Sequence, residues 1–247
     1  MCMKFWVLWF LLVVTNVLCA QDPATLAPQL YKVILENDDS RVIDYRLKPG
    51  EREPMHSHPS GVLVYYLADA KMRVSLPDGK TAESTNRAGD IVWRDPVTHF
   101  AENIASSEVH TFLVEPKVSC NDPAGSVAPS NSGSTASAVP VLAHLEPHHY
   151  LRYENQIIRV LEVRIRPGES SVFHTHTHDD LYLTLSDAVA RAQMQGGNWG
   201  SDTAFKSGEA SSDDASKHPL THRLENVGRT EFHTLDIEFC PFEESRK

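Results

Sequence analysis

The sequence is short of positive charge. It carries 23 lysine and arginine residues against 33 aspartate and glutamate residues, which gives a formal net charge of −10 at pH 7 over 247 residues. Because nucleic acids and anionic membrane surfaces attract basic proteins, this balance argues against both as partners. The chain also lacks a phosphate-binding loop, a dinucleotide fingerprint and a nucleophile elbow.

Long apolar runs are also scarce, and the one present lies at the N-terminus. Lys4 precedes an almost unbroken apolar run over residues 5–18, which is too short to span a bilayer comfortably. The small residue Ala20 then offers a cleavage point. We therefore expect residues 1–20 to be a signal peptide and the protein to be secreted or periplasmic. An uncleaved anchor is the alternative, and lipid attachment at Cys19 is disfavoured because a large leucine precedes it.

Cysteine is also scarce in this sequence. Of the four cysteines, Cys2 and Cys19 lie in the predicted signal peptide, which leaves Cys120 and Cys240. An even pair in an oxidising compartment can form a disulfide. Two unpaired thiols are the alternative, since sequence does not give their separation.

A helical period is missing too, because no stretch sustains one beyond one or two turns. Short runs rich in Val, Leu, Tyr and Phe occupy residues 42–47, 62–67, 72–76 and 109–114, and turn residues such as those at 77–80 separate them. Many short strands at even spacing predict an all-β sandwich or barrel of antiparallel strands, such as a jelly roll.

What the sequence does contain is a duplication. One set of residues recurs at an offset of 118, and a later set recurs at 123, so a domain was duplicated and one copy gained an insertion, near residues 196–214. The pairs include Glu36/Glu154, Arg41/Arg159, Gly50/Gly168, His56/His174, His58/His176 and Asp69/Asp187, then His99/His222, Asn103/Asn226, Glu108/Glu231 and His110/His233.

The duplication predicts two domains, at about residues 31–116 and 149–239. Residues 117–146 join them, and this stretch is dominated by Ser, Gly, Ala and Pro. Such a composition buries too little apolar surface to offset its ordering entropy, so we expect a flexible linker.

Histidine dominates the repeated polar residues. A His-x-His pair at a strand end places both side chains on one face, and a third histidine follows about 40 residues later in each repeat. Imidazole suits Fe, Mn, Zn, Cu and Ni, so the pattern predicts a divalent transition metal site in each repeat. The histidines concerned are His56, His58 and His99 in the first repeat and His174, His176 and His222 in the second.

The remaining histidines have more ordinary interpretations. His218 is a rival ligand to His222, while His110 and His233 are read as strand histidines satisfied by packing or solvent. Three others near the domain edge are read as solvated, with a metal role as the alternative; they are His144, His148 and His149.

The motifs resemble those of two-domain cupins. The first cupin motif is matched by Gly50-x5-His56-x-His58 and by Gly168-x5-His174-x-His176. The second is matched more loosely by Pro96-x2-His99-x3-Asn103 after Gly89, and by Pro219-x2-His222-x3-Asn226 after Gly208. The resemblance covers about residues 31–116 and 149–239. It implies an all-β fold of two tandem cupin (jelly-roll-like) β-barrels joined by a flexible linker, with metal held inside by the motif histidines.

One departure from the cupin pattern distinguishes the two repeats. The family's motif glutamate should fall where Val62 and Leu63 stand, so the first site lacks that carboxylate. In the second repeat the equivalent residue is Asp180, and His178 is an alternative ligand. We therefore expect His174, His176, Asp180 and His222 to hold metal more tightly than His56, His58 and His99.

The resemblance also implies a range of activities. Three-histidine cupins resemble iron(II) dioxygenases, and those with a further carboxylate resemble oxidases, decarboxylases and isomerases that use Mn, Fe or Cu. The expectation is an exported, dioxygenase-like oxidoreductase acting on a small organic substrate. The alternative is a non-catalytic cupin that binds metal or a small ligand, with one or both sites decayed.

Overall fold

The regular secondary structure of the described chain is almost entirely β strand. A computed structural model describes residues 21–58, 60–120 and 139–242. The predicted signal peptide and the middle of the predicted linker lie outside these residues. Over the same ranges, no helix has both the length and the apolar character needed to cross a membrane. The one α-helix there, Pro23–Leu26, has four residues and is capped by Asp22.

The first half of the chain forms two facing antiparallel sheets. Their orders are β1-β2-β9-β4-β7 and β3-β8-β5-β6. The strands are β1 (Tyr31–Glu36), β2 (Ser40–Leu47), β3 (His56–His58), β4 (Val62–Tyr66), β5 (Ala70–Ser75), β6 (Thr81–Asn86), β7 (Ile91–Arg94), β8 (Val97–Asn103) and β9 (Val109–Pro116).

The second half repeats this arrangement. Its sheets have the orders β11-β12-β19-β14-β17 and β10-β13-β18-β15-β16. The strands are β10 (Val141–Leu142), β11 (His149–Glu154), β12 (Ile158–Ile165), β13 (His174–His176), β14 (Asp179–Thr184), β15 (Ala188–Met194), β16 (Thr203–Phe205), β17 (Ala210–Asp214), β18 (Leu220–Asn226) and β19 (Phe232–Phe239). The all-β, two-barrel prediction is confirmed.

The C-terminal part of the predicted linker belongs to the second barrel. Val141 and Leu142 pair in parallel with β13, and a 3-10 turn, Ala143–Leu145, follows. The next residue, Glu146, is buried. The description of residues 139–146 as flexible linker is therefore corrected. A two-residue strand has no periodicity that the sequence could reveal.

The central strands of the two barrels are buried on both faces. In β4, Val62, Val64 and Tyr66 pack into the core of the first barrel. Leu63 and Tyr65 point the other way, into a second core that both barrels share. Burial on both faces explains why β4 reads as a continuous apolar run instead of an alternating one.

Equivalent residues from the two repeats build this shared core. Both members of each pair are buried there. The pairs are Val42/Val160, Leu63/Leu181, Tyr65/Leu183, Phe112/Leu235 and Val114/Ile237.

A disulfide joins the ends of the two barrels. Cys120, just after β9, is bonded to Cys240, just after β19, across a sequence separation of 120 residues. Of the two alternatives that the sequence leaves open for these cysteines, the structure has the disulfide. Together with the shared core, it ties the two barrels into one unit.

Candidate metal centres

The first histidine cluster arises from the register of two strands. His56 and His58 lie on β3, and β8 runs antiparallel to it so that His99 pairs with His56. The Nε2 atoms of His56 and His58 are 3.0 Å apart. One nitrogen from each of the three rings can be chosen so that all lie within 4.8 Å of one another. The structure thus brings together all three predicted ligands of the first barrel.

Hydrogen bonds at Nδ1 orient two of these rings. His56 Nδ1 lies 3.0 Å from the carbonyl oxygen of Pro54, and His58 Nδ1 lies 2.6 Å from Oε1 of Glu115. Arg41 in turn donates to Oε2 of Glu115. With the proton on Nδ1, Nε2 carries the lone pair that a metal needs.

A carboxylate absent from the family motif faces this cluster. Glu53 is buried, and its Oε1 lies 3.7 Å from Nε2 of His99 and 3.9 Å from Nδ1 of His56. Its Oε2 accepts hydrogen bonds from the hydroxyls of Tyr31 and Tyr45. Burial raises the pKa of Glu53, against the lowering effect of the two tyrosine hydrogen bonds. Sequence reasoning missed Glu53 because it sought the carboxylate after the His-x-His pair, and this one precedes it.

The first cluster opens onto a cavity of about 410 Å³. Its walls include Val62, Val64 and Leu113, and its polar groups include Glu53 and Arg94. Across residues 21–58, 60–120 and 139–242, no carboxylate forms an ion pair with Arg94. The cavity therefore combines an apolar wall, histidines of the cluster and a guanidinium that interacts with the Tyr66 hydroxyl and not with a carboxylate of the described residues.

The second cluster repeats the first and adds a residue. Antiparallel pairing of β13 with β18 places His174 opposite His222, with their Nε2 atoms 3.0 Å apart. His149, at the start of β11, packs its ring 4.8 Å from that of His174. His149, His174 and His176 offer nitrogens within 4.8 Å of one another. The interpretation of His149 as a solvated residue is therefore wrong, because it is buried beside the predicted ligands.

Asp180 lies on the Nδ1 side of His176, and one ligand atom each from His176, Asp180 and Asp236 lie within 4.8 Å of one another. Its Oδ2 lies 2.8 Å from Nδ1 of His176, so it holds that ring from behind, as Glu115 holds His58. Asp236 lies 3.8 Å from the same nitrogen, and neither of its carboxylate oxygens has a hydrogen-bond partner within the described residues. Burial, then repulsion from neighbouring carboxylates, raises the pKa of both aspartates well above the usual range. A cation in the cluster would offset this repulsion.

The other histidines lie outside the two clusters of nitrogens. His218 is exposed beside Asp214, and His178 is buried next to Thr177. The side chains of His110 and His233 are hydrogen-bonded to carboxylates of neighbouring strands, Asp44 and Glu162. His148 bonds to Glu146, as does His149.

Burial keeps four of the cluster histidines neutral, two in each barrel. Burial, with a smaller contribution from neighbouring imidazoles, lowers the pKa of His56 to about 4 and that of His99 to about 3. Burial likewise lowers the pKa of His174 to about 2 and that of His222 to about 3. At neutral pH these rings therefore offer lone pairs to a cation without first releasing a proton.

The donor geometry fits a divalent transition metal. Two imidazole nitrogens bound to one ion at about 2.1 Å, at right angles to each other, lie ~3.0 Å apart. The His56–His58 and His174–His222 pairs both have this spacing. Each barrel therefore has a histidine cluster able to hold a divalent ion such as Fe, Mn, Zn, Cu or Ni.

Comparisons by sequence and by structure give different answers. No protein-family model matches the sequence, and no curated protein matches it at a significant level. Solved structures match by fold. Oxalate decarboxylase from Lactobacillus farciminis, in a formate complex, has a TM-score of 0.56 at 15% identity, covering 83% of this chain and 77% of that one. AerE from Microcystis aeruginosa has a TM-score of 0.53 at 14% identity, covering 85% of this chain and 97% of that one.

A third similar structure concerns the Mn(II) centres of Bacillus subtilis oxalate decarboxylase. Its TM-score is 0.52 at 15% identity, covering 82% of this chain and 69% of that one. Identities this low establish the fold alone, which is the two-domain cupin fold that the motifs predict.

Proposed function

We propose that this chain is an exported, metal-dependent bicupin enzyme whose first barrel oxidises a small organic acid in a dioxygenase-like reaction. The observation that carries the proposal is that one cavity of about 410 Å³ is lined by His58 and His99 of the first cluster, by buried Glu53 and by Arg94. The N-terminal apolar run supports export. The neighbouring oxalate decarboxylases, named for a small dicarboxylic acid, support the substrate class.

Arg94 supplies the basis for selecting an acid. Its guanidinium can donate two parallel hydrogen bonds to a substrate carboxylate at the cavity mouth. The residue paired with Val62 in the first barrel is Arg94, whereas the residue paired with Asp180 in the second barrel is Asp213. The first barrel thus has a positively charged side chain at the position where the second has a negatively charged one. We therefore assign the organic acid substrate to the first barrel.

Glu53 supplies a proton acceptor or donor next to the cluster. Because burial raises its pKa, this carboxyl group exchanges a proton more readily near neutral pH than an exposed glutamate does. Tyr31 and Tyr45 hold it in place through Oε2, which leaves Oε1 facing His99. Val62, Val64 and Leu113 exclude water from that end of the cavity. When bound, a divalent metal supplies Lewis-acid polarisation of the substrate and, if redox-active, a route for electrons to oxygen.

The test is an activity screen with metal-loaded protein. Oxygen uptake and carbon dioxide release are followed over a panel of small mono- and dicarboxylic acids. The proposal expects oxygen uptake that requires His58 and Glu53, and so is lost in His58→Ala and strongly reduced in Glu53→Gln. Carbon dioxide release without oxygen uptake would instead indicate a decarboxylase and refute the dioxygenase-like assignment.

Arg94→Ala tests the substrate class. A hydrogen bond to a charged group contributes about 1.5–3 kcal/mol, so KM for the acid should rise by about 10- to 150-fold. Arg46→Ala is the matched control, because Arg46 lies in the same barrel but only forms surface ion pairs with Asp44 and Glu108. Equal KM values for the Arg94→Ala and parent proteins would argue against an anionic substrate.

One observation favours the alternative of non-catalytic metal binding, and it concerns the second barrel only. Its cavity is smaller, at about 180 Å³, and its described walls include no lysine or arginine. If no acid in the panel supports turnover while both clusters still bind metal, the non-catalytic function is the better description of the whole chain.

A further inference from the structure

His149 is the feature of the second barrel that the cupin motifs do not account for. Its side chain is 5% exposed, and its Nδ1 donates a hydrogen bond of 2.8 Å to Oε2 of Glu146. With the proton on Nδ1, the lone pair is on Nε2. That ring packs against His174 at 4.8 Å and His176 at 6.3 Å between centroids. Glu146 thus holds His149 with its free nitrogen available to the cluster.

The first barrel gives an independent indication that this position reaches the metal centre. Tyr31 begins β1 as His149 begins β11, at the repeat offset of 118. The hydroxyl of Tyr31 lies 3.4 Å from Nε2 of His56. The same position therefore delivers a polar group to the cluster in both barrels. Tyrosine delivers a hydroxyl there, and histidine delivers an imidazole, which is a far better ligand for divalent transition metals.

We propose that His149 is a metal ligand and that the second barrel holds its divalent transition metal with four imidazoles. The four residues are His149, His174, His176 and His222. The carboxylates nearby have a different role. Asp180 bonds the rear nitrogen of His176, and unpartnered Asp236 lies 4.0 Å from Nε2 of His149. These acids offset the charge of the bound cation and orient its ligands.

A consequence is that the two barrels use metal differently. Four protein ligands, a small cavity and Asp213 at the site equivalent to Arg94 suit a firmly held ion that does not bind an anion. This inference goes beyond the function proposed for the first barrel. Its test measures metal binding and needs no substrate, so failure of one proposal leaves the other standing.

The experiment uses full-length protein carrying His58→Ala to weaken the first site. The metal-free protein is titrated with Cu(II), affinity is measured by chelator competition, and nitrogen couplings are counted by electron paramagnetic resonance. Two variants are compared in that background, His149→Tyr, which installs the residue found at the equivalent position, and His149→Gln. His148→Gln is the matched control, because His148 is adjacent and also bonds Glu146.

The expected result is four nitrogen couplings in the His58→Ala protein and three in both His149 variants. Affinity for Cu(II) should fall by about 10- to 100-fold or more, since even a residue that only orients a ligand changes affinity by that factor. His148→Gln should change neither. The proposal is overturned if both His149 variants keep the parental couplings and affinity. Should neither variant fold, as judged by circular dichroism, a count of three instead of four nitrogens in the His58→Ala protein would overturn it.

Discussion

Removing the Cys120–Cys240 disulfide tests how the chain holds its two barrels together. The bridge closes a loop with a sequence separation of 120 residues that contains the whole second barrel. For a loop of that length, the chain-entropy relation gives a stabilisation of about 5 kcal/mol at 25 °C. A protein of this size loses about 2–4 °C in Tm for each kcal/mol. We therefore expect Cys120→Ser/Cys240→Ser to lower Tm by roughly 10–20 °C.

The barrels should nevertheless unfold together in that variant. The core that they share contains fully buried side chains from both, including Leu63 and Ile237, so breaking the covalent tie leaves the contact intact. Scanning calorimetry of the variant, and of the parent with and without reductant, measures both points. Ser119→Ala, an exposed neighbour, is the control. A Tm within about 1 °C of the parent's would refute the entropic argument, and two separate transitions would refute the shared core as the coupling element.

Three further substitutions test the fold by urea denaturation. Leu181→Ala, in the shared core, should cost about 2–5 kcal/mol and lower a single transition, so a second transition would contradict the coupling. Asn103→Ala should cost about 1–3 kcal/mol, because the amide donates to two backbone carbonyls at 2.8 Å, and no loss would show those bonds to be dispensable. Gly61→Ala should be much more destabilising than Gly50→Ala. Both glycines have positive φ, but only at Gly61 would a Cβ lie 2.6 Å from the Trp93 ring, so equal losses would contradict the steric argument.

The fold was largely predictable because the repeat is long and its strands are short and apolar. The shared core was not, since a continuous run such as residues 62–66 fits a strand buried on both faces without revealing what covers the second face. Asn103 and Asn226 brace equivalent turns in the two repeats, which the repeated motif positions indicate. Each amide donates to one carbonyl in its own turn and to one at the end of a neighbouring segment.

The histidine triads followed from spacing, whereas the groups around them did not. Glu53 reaches the first cluster from the turn before β3, which a motif search after His58 does not inspect. His149 was missed because its counterpart in the first repeat is Tyr31, and a comparison that counts identical residues passes over such a pair. A polar aromatic residue opening the first strand of both repeats was the available signal. Asp180 was placed near the site correctly, but the direction of its side chain depends on β14 and β19 packing.

The contact between the barrels uses the same positions on each side, which makes it a pseudo-twofold interface within one chain. A surface that is complementary to its own near-copy does not need a covalent connection in order to form. A single barrel carrying this face is therefore equipped to pair with another of its kind, and fusion of two copies would convert such a homodimer into the present chain. In a fused chain each half is free to change its interior separately, provided that the common face stays apolar and complementary. The opposite charges of Arg94 in the first barrel and Asp213 in the second, at equivalent positions, are an example of such separate change.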